Sequence, residues 1–123
     1  MKVQIHRQSI RLRIDEAELA RLLAGQMVEN HTRLAAERCW SQTLRLVPSG
    51  EVLITGDTAI LQISLPRDAV LALEARLPCR DGLSFDVAAG GEPLQLRLDV
   101  DVRDSLRQRG PSRRSAAATS SMV

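Results

Sequence analysis

A strand that turns directly into a capped helix occurs twice in this chain, fifty-one residues apart, and the rest of the chain is organised around that recurrence. In the first copy Ile10, Leu12 and Ile14 alternate with Arg11 and Arg13, the period-2 signature of a half-buried strand. Asp15 then offers a carboxylate to the free N–H groups of a helix start, and Glu18, three residues on, can reach back to the cap's own N–H. Leu19, Leu22 and Leu23 form an apolar stripe at helical spacing, and Gly25 stands where a helix commonly stops. In the second copy Leu61, Ile63 and Leu65 fall on Ile10, Leu12 and Ile14, Val70 falls on Leu19, and Leu73 falls on Leu22. Pro66 replaces Asp15, and its fixed φ and missing N–H suit a first helical turn by a different route. What recurs is a pattern with few identities, and it predicts a duplicated structural unit.

The remaining segments complete each copy. Lys2 to Arg7 alternates Val3 and Ile5 with Lys2, Gln4 and His6, predicting a hairpin with the Ser9 strand, although no Asn-Gly turn marks it. A first helix is expected over about residues 16–24, a strand with thin β-branched content over 27–34, a loop over 35–39, and a strand from Trp40 to Val47. Val52–Thr55 and Ala59–Leu65 read as a hairpin around Gly56-Asp57. A second helix is expected from Pro66 to Arg76, stopped by Pro78, followed by strands over Leu83–Val87 and Leu94–Val102. Each half reads as strand, strand, helix, strand, strand. The expected fold class is α+β: a mainly antiparallel sheet, polar on one face, with two short helices on the other, and a partly closed barrel as the alternative.

At 123 residues the chain is long enough for one core without staples, and the expectation is a single domain over residues 1–104. With Trp40 and Phe85 as the only aromatics, that core is built from Leu, Val, Ile and Ala, and platforms for stacking bases are nearly absent. The net charge of +2 divides unevenly. Arg103, Arg107, Arg109, Arg113 and Arg114 against Asp104 give the C-terminal segment +4, which leaves the body at −2. Residues 105–123 read as a basic, Ser/Ala-rich tail, disordered from Gly110 on. Its arginines offer nucleic acid only weak, salt-sensitive attraction. No run of eighteen apolar residues suits a membrane span, the N-terminus lacks the apolar centre of a signal peptide, and Cys39 and Cys79 have no metal-binding or redox spacing. The expected location is the cytoplasm.

The opening resembles a family of small bacterial proteins of unknown function that begin Met-Lys-(Ile/Val)-x-Ile and continue Ser-(Ile/Leu)-Arg-Leu-Arg-(Ile/Leu) into an acidic helix. Met1, Lys2, Val3, Ile5, Ser9, Ile10, Arg11, Leu12, Arg13 and Ile14 carry the resemblance, with Glu18 in the helix, and Ile63-Ser64-Leu65-Pro66 resembles the family's second strand and Pro-led helix. The likeness spans about residues 1–100 and implies a fold boundary there without implying an activity. Where many members continue with Glu-Lys-Asp-Phe and a cysteine, this chain has Val102-Arg103-Asp104-Ser105-Leu106.

No constellation points to a reaction. Nucleophilic catalysis needs Ser or Cys beside a His and an orienting carboxylate, and neither His6 nor His31 stands in such a motif. A metal could be held by His6, His31, Asp99 and Asp101 only if the first and last strands were neighbours, and no ligand loop or helical His pair is present. No cofactor is implied. Lys2, Arg11 and Arg13 form the candidate ligand site, for phosphate or another anion, because both arginines project from one strand face next to the N-terminal strand. A polyphosphate-hydrolysing tunnel would need an alternating Glu-x-Glu-x-Lys where this chain has Lys2, Gln4 and His6. The competing reading pairs Arg11 and Arg13 with Asp99 and Asp101, or with Glu29, across strands. The sequence thus favours a non-enzymatic domain that binds a protein partner or associates with itself through the edges of its first and last strands.

Overall fold

A computed structural model describes residues 1–48 and 50–102; the expected tail, residues 105–123, lies outside the described residues. Eight strands and two helices follow in the order β1 (Lys2–His6), β2 (Ser9–Asp15), α1 (Glu16–Leu23), β3 (Val28–Ala35), β4 (Arg38–Val47), β5 (Leu53–Gly56), β6 (Ile60–Pro66), α2 (Arg67–Ala75), β7 (Leu83–Val87) and β8 (Leu94–Asp101). This is the strand–strand–helix–strand–strand pattern, twice.

The strands form two sheets rather than one, in the orders β1-β2-β8-β7 and β3-β4-β6-β5. Each sheet takes one hairpin from each half of the chain. Its inner pair, β2 with β8 or β4 with β6, runs parallel, and its outer strands pair antiparallel. The fold is α+β and largely antiparallel, and no closed barrel forms among the described residues. The parallel joins were not foreseen, because alternation reports which face a residue takes and says nothing about strand direction. They also correct the neighbourhood of the last strand. β8 lies inside its sheet between β2 and β7, so β1 is an edge and β8 is not.

Residues 35–39 are not a loop. Ala36 and Glu37 make a tight turn, and a register shift between Arg33 and Ala35 lets β3 and β4 run almost to it. The β1–β2 turn, Arg7-Gln8, holds Arg7 at φ +53°, a left-handed conformation more usual for Asn or Gly, which is why no turn signature announced it. In the β5–β6 turn, Asp57 Oδ1 accepts from the N–H groups of Ala59 and Ile60 at 2.8 and 2.9 Å.

The helix ends follow the chemistry at their termini. Asp15 Oδ1 accepts from Glu18 N–H at 2.7 Å, and Glu18 Oε1 accepts from Asp15 N–H at 3.0 Å, completing the capping box. The second carboxylate oxygen of Glu18 holds the Met1 ammonium at 2.5 Å, which ties β1 to the helix start. At the other end of α1, Gly25 and Gln26 donate to the carbonyls of Leu22 and Arg21, a Schellman closure for which Gly25 at φ +90° is suited. Arg67, opening α2, donates to the Leu23 carbonyl at 2.6 Å and so links the second helix to the C-terminus of the first. Pro66 sits one residue earlier than expected, as the N-cap of α2, with no side-chain cap bond.

The inner faces of both sheets and the two helices share one core. Leu12, Ile14, Leu19 and Leu22 are buried in it, and so are their counterparts Ile63, Leu65, Val70 and Leu73. Strand register extends the equivalence: Leu98 faces Leu12 as Leu44 faces Ile63. A buried polar residue interrupts this apolar equivalence. Gln42, at 1 % exposure, occupies the place of Leu96; its carbonyl accepts from Asn30 Nδ2 at 2.8 Å, and its own Nε2 has no partner.

Two outcomes test this internal equivalence. Leu22→Ala and Leu73→Ala should each cost about 2–5 kcal/mol in urea unfolding, while Leu71→Ala, on the exposed side of α2, should stay within about 0.5 kcal/mol. Gln42→Leu, which installs the residue type of the equivalent position, should raise stability by about 1 kcal/mol, because a buried donor without a partner is removed.

Candidate functional site

The outer face of the β1-β2-β8-β7 sheet carries the charged residues that the sequence singles out. β1 and β2 pair so that Lys2 stands opposite Arg13 and Gln4 opposite Arg11. On the other side of β2, Arg11 is level with Arg97 and Arg13 with Asp99. Lys2, Arg11 and Arg13 therefore share one face. Glu29, the alternative acidic partner, is on β3 in the other sheet.

Asp99 organises this face. The residue is 8 % exposed; one carboxylate oxygen is ion-paired with Arg11 Nε, and the other accepts from Arg97 Nε at 3.0 Å. Arg97 Nη2 also donates to the Arg80 carbonyl at 2.9 Å, so the segment between α2 and β7 is fastened over the sheet. Gly82, at φ +66°, permits the close approach: a Cβ there would lie 2.2 Å from Asp99 Oδ1 and 2.6 Å from the Leu98 carbonyl oxygen. Under the fastened segment is a groove of about 490 Å3 bordered by Arg11, Arg13, Cys79, Arg80, Asp99 and Asp101. Arg13 makes no ion pair or side-chain hydrogen bond among the described residues, and neither does Lys2, whereas Asp101 is engaged. Arg13 also borders a smaller hollow of about 230 Å3 with Lys2, Asp15 and Glu18.

A second hollow, about 730 Å3, lies where the edges of the two sheets meet at β5 and β7. Val52, Leu53, Ile54, Phe85, Val87 and Leu94 line it, and its only charged residues among those described are Glu51 and Asp86. Leu53 is 53 % exposed. Nothing in the sequence marks this cleft, because its two edges come from one half of the chain but belong to different sheets.

The histidines fall apart. His6 is on β1; His31 is on β3 in the other sheet, where its Nδ1 is hydrogen-bonded to Ser41 Oγ at 2.7 Å. That pair puts a hydroxyl beside an imidazole, which motif reading missed because the residues meet only across strands. The His31 ring is exposed and, among the described residues, donates no hydrogen bond to a carboxylate that would orient it, so the two residues are a cross-strand polar pair rather than a nucleophile with its base. The metal set of His6, His31, Asp99 and Asp101 is not assembled, and among the described residues no three His, Cys, Asp or Glu side chains converge. Cys39 and Cys79 are free thiols. No helix among the described residues is long and apolar enough to cross a membrane.

These features define a pseudo-symmetric α+β domain in which two halves exchange hairpins, with a charged outer face on one sheet and an apolar cleft between sheet edges. The chain belongs to the family of unknown function DUF7009, which it matches over residues 1–103. No curated protein and no solved structure matches it.

The tight packing around Asp99 has a measurable consequence. Gly82→Ala should destabilise by about 2 kcal/mol or more, from backbone strain plus the collision with Asp99, whereas Gly25→Ala, with open space around its Cβ, should cost about 1 kcal/mol. Asp99→Ala should cost about 2 kcal/mol in the same unfolding assay, less than the loss of a fully buried pair, because Arg11 and Arg97 are each about 40 % exposed and regain water.

Proposed function

We propose that this domain acts without catalysis, as an interaction module that takes an extended segment of a protein partner into the cleft between β5 and β7. The observation that carries the reading is the cleft itself: an apolar lining, two unpaired strand edges beside it, and acidic residues alone among its charged groups. An open edge presents N–H and C=O groups to an incoming strand, and the apolar lining accepts every second side chain. Glu51 and Asp86 select for charge, so the partner segment alternates apolar residues with Lys or Arg. Self-association through the same edge is the competing arrangement. The free thiols of Cys39 and Cys79 and the resemblance to small bacterial proteins support a bacterial cytoplasm as the setting.

Extended synthetic peptides alternating Val or Leu with Lys should bind the full chain and protect the backbone amides of β5 and β7 from hydrogen exchange. Peptides with Glu in place of Lys should bind at least about tenfold more weakly, and Glu51→Lys with Asp86→Lys should reverse that order. Binding that ignores peptide charge, or that leaves the β5 and β7 amides unchanged, would remove the cleft as the docking element. A dimer in sedimentation that Leu53→Lys converts to monomer would assign the edge to self-association.

A further inference from the structure

The charged face of the β1-β2-β8-β7 sheet is not something the fold requires. The pseudo-dyad places Leu53, Gln62, Ser64 and Thr43 of the other sheet at the positions of Lys2, Arg11, Arg13 and Arg97. An equivalent sheet is therefore built with uncharged residues at all four places. On the charged face, Arg11 stands opposite Arg97, and Lys2 opposite Arg13, and like charges facing one another across strands are unfavourable. Asp99 relieves the first juxtaposition by holding both guanidiniums through their Nε atoms. Nothing among the described residues relieves the second by an ion pair.

The mode of pairing matters. Asp99 grips Arg11 by Nε, so both Nη groups stay free to donate, and the guanidinium plane is fixed by a nearly buried carboxylate. Arg13 is two residues along the same strand face, roughly 7 Å away, with no ion pair of its own. Both border the groove that Arg80, on the fastened segment between α2 and β7, also lines. A held fork, a second fork on a rigid strand and a third from the covering segment make a donor array suited to a tetrahedral dianion, which accepts several N–H bonds at once. Asp101, the other acid of the groove, is already engaged, and Lys2 adds positive potential from the far side of Arg13.

We propose that Arg11, Arg13 and Arg80 bind a phosphate group in this groove, with Asp99 as the residue that positions Arg11. The proposal does not depend on the cleft between β5 and β7. The ligand is inorganic phosphate or a phosphate monoester, and the same donor set serves both.

The test uses the full chain, with side-chain Nε–H resonances of its arginines followed during titration with sodium phosphate, methyl phosphate and, at matched ionic strength, sodium chloride. Saturable shifts of the Arg11 and Arg13 signals are expected with phosphate, with chloride producing none that saturate and with the exposed Arg76 at the C-cap of α2 hardly moving. Arg13→Gln should weaken phosphate binding at least tenfold while leaving the melting temperature within a few degrees, and Arg13→Lys should recover only part of the loss, since it restores charge without the fork. Equal response to methyl phosphate would show that the group is read on a larger molecule; response to inorganic phosphate alone would show the free ion as ligand. Arginine shifts that follow ionic strength equally in chloride, or an Arg13→Gln variant that binds phosphate as tightly as the parent, would overturn the proposal.

Discussion

The parallel pairing of β2 with β8 and of β4 with β6 is the constraint on which the rest of the structure depends. Each half of the chain contributes two hairpins, and they go to different sheets. A half by itself would leave the Ile10, Leu12 and Ile14 stripe without the Leu96, Leu98 and Val100 stripe that completes its sheet, and would leave Leu44 without Ile63. Neither half can bury its apolar face alone, so the domain stands or falls as one unit. Joining β2 to β8 also means that residues more than eighty positions apart must meet, and such distant pairings are slow to form because loop closure precedes their reward.

Within that frame α1 bridges the layers, since it packs against β2 and β8 of one sheet and β3 and β4 of the other. Its position is set by short-range chemistry: the capping box at Asp15 and Glu18 starts it, and the left-handed Gly25 stops it. Glu18 serves twice, closing the cap and holding the Met1 ammonium, so one carboxylate fixes both the helix start and the edge strand beside it. The donation from Arg67 to the Leu23 carbonyl then couples the end of the first helix to the start of the second.

Much of this was legible in the residues. The alternation in Ser9–Asp15 and Ile60–Pro66 finds the buried apolar residues but misses the burial of Ser64, and the shift of fifty-one residues pairs Leu12, Ile14, Leu19 and Leu22 with residues that prove equally buried, while Leu61 is less buried than Ile10. The division into two sheets was not legible, because nothing in a period-2 pattern states which strand is a neighbour. For the same reason Lys2, Arg11 and Arg13 could be placed on one face, while the partner of Arg11 could be named only among alternatives. Asp99 emerges as that partner because β8 lies beside β2, with Gly82 allowing the covering segment to close over it. The cleft at Leu53 and Phe85 was illegible, since its walls come from edges that the chain order keeps apart.

The pseudo-symmetry raises a question of specificity that Asp99 answers together with Arg45. Register makes these two residues equivalent, one in each sheet, and their charges are opposite. In the observed arrangement Asp99 of β8 meets Arg11, and Arg45 of β4 donates from Nε to Ser64 Oγ at 3.0 Å. Were β2 to pair with β4 in place of β8, Arg45 would come level with Arg13 beside Arg11, and three guanidiniums would converge with no acid on β4 to meet them. Were β6 to pair with β8, the nearly buried Asp99 would face Ser64, keep Arg97 of its own strand and lose Arg11. Like-half assembly is thus opposed twice, once by repulsion and once by the loss of one of the two ion pairs of a nearly buried carboxylate, while the apolar interior is nearly indifferent to the exchange. In a fold whose two halves have interchangeable cores, the choice of partner strand rests on the polar face.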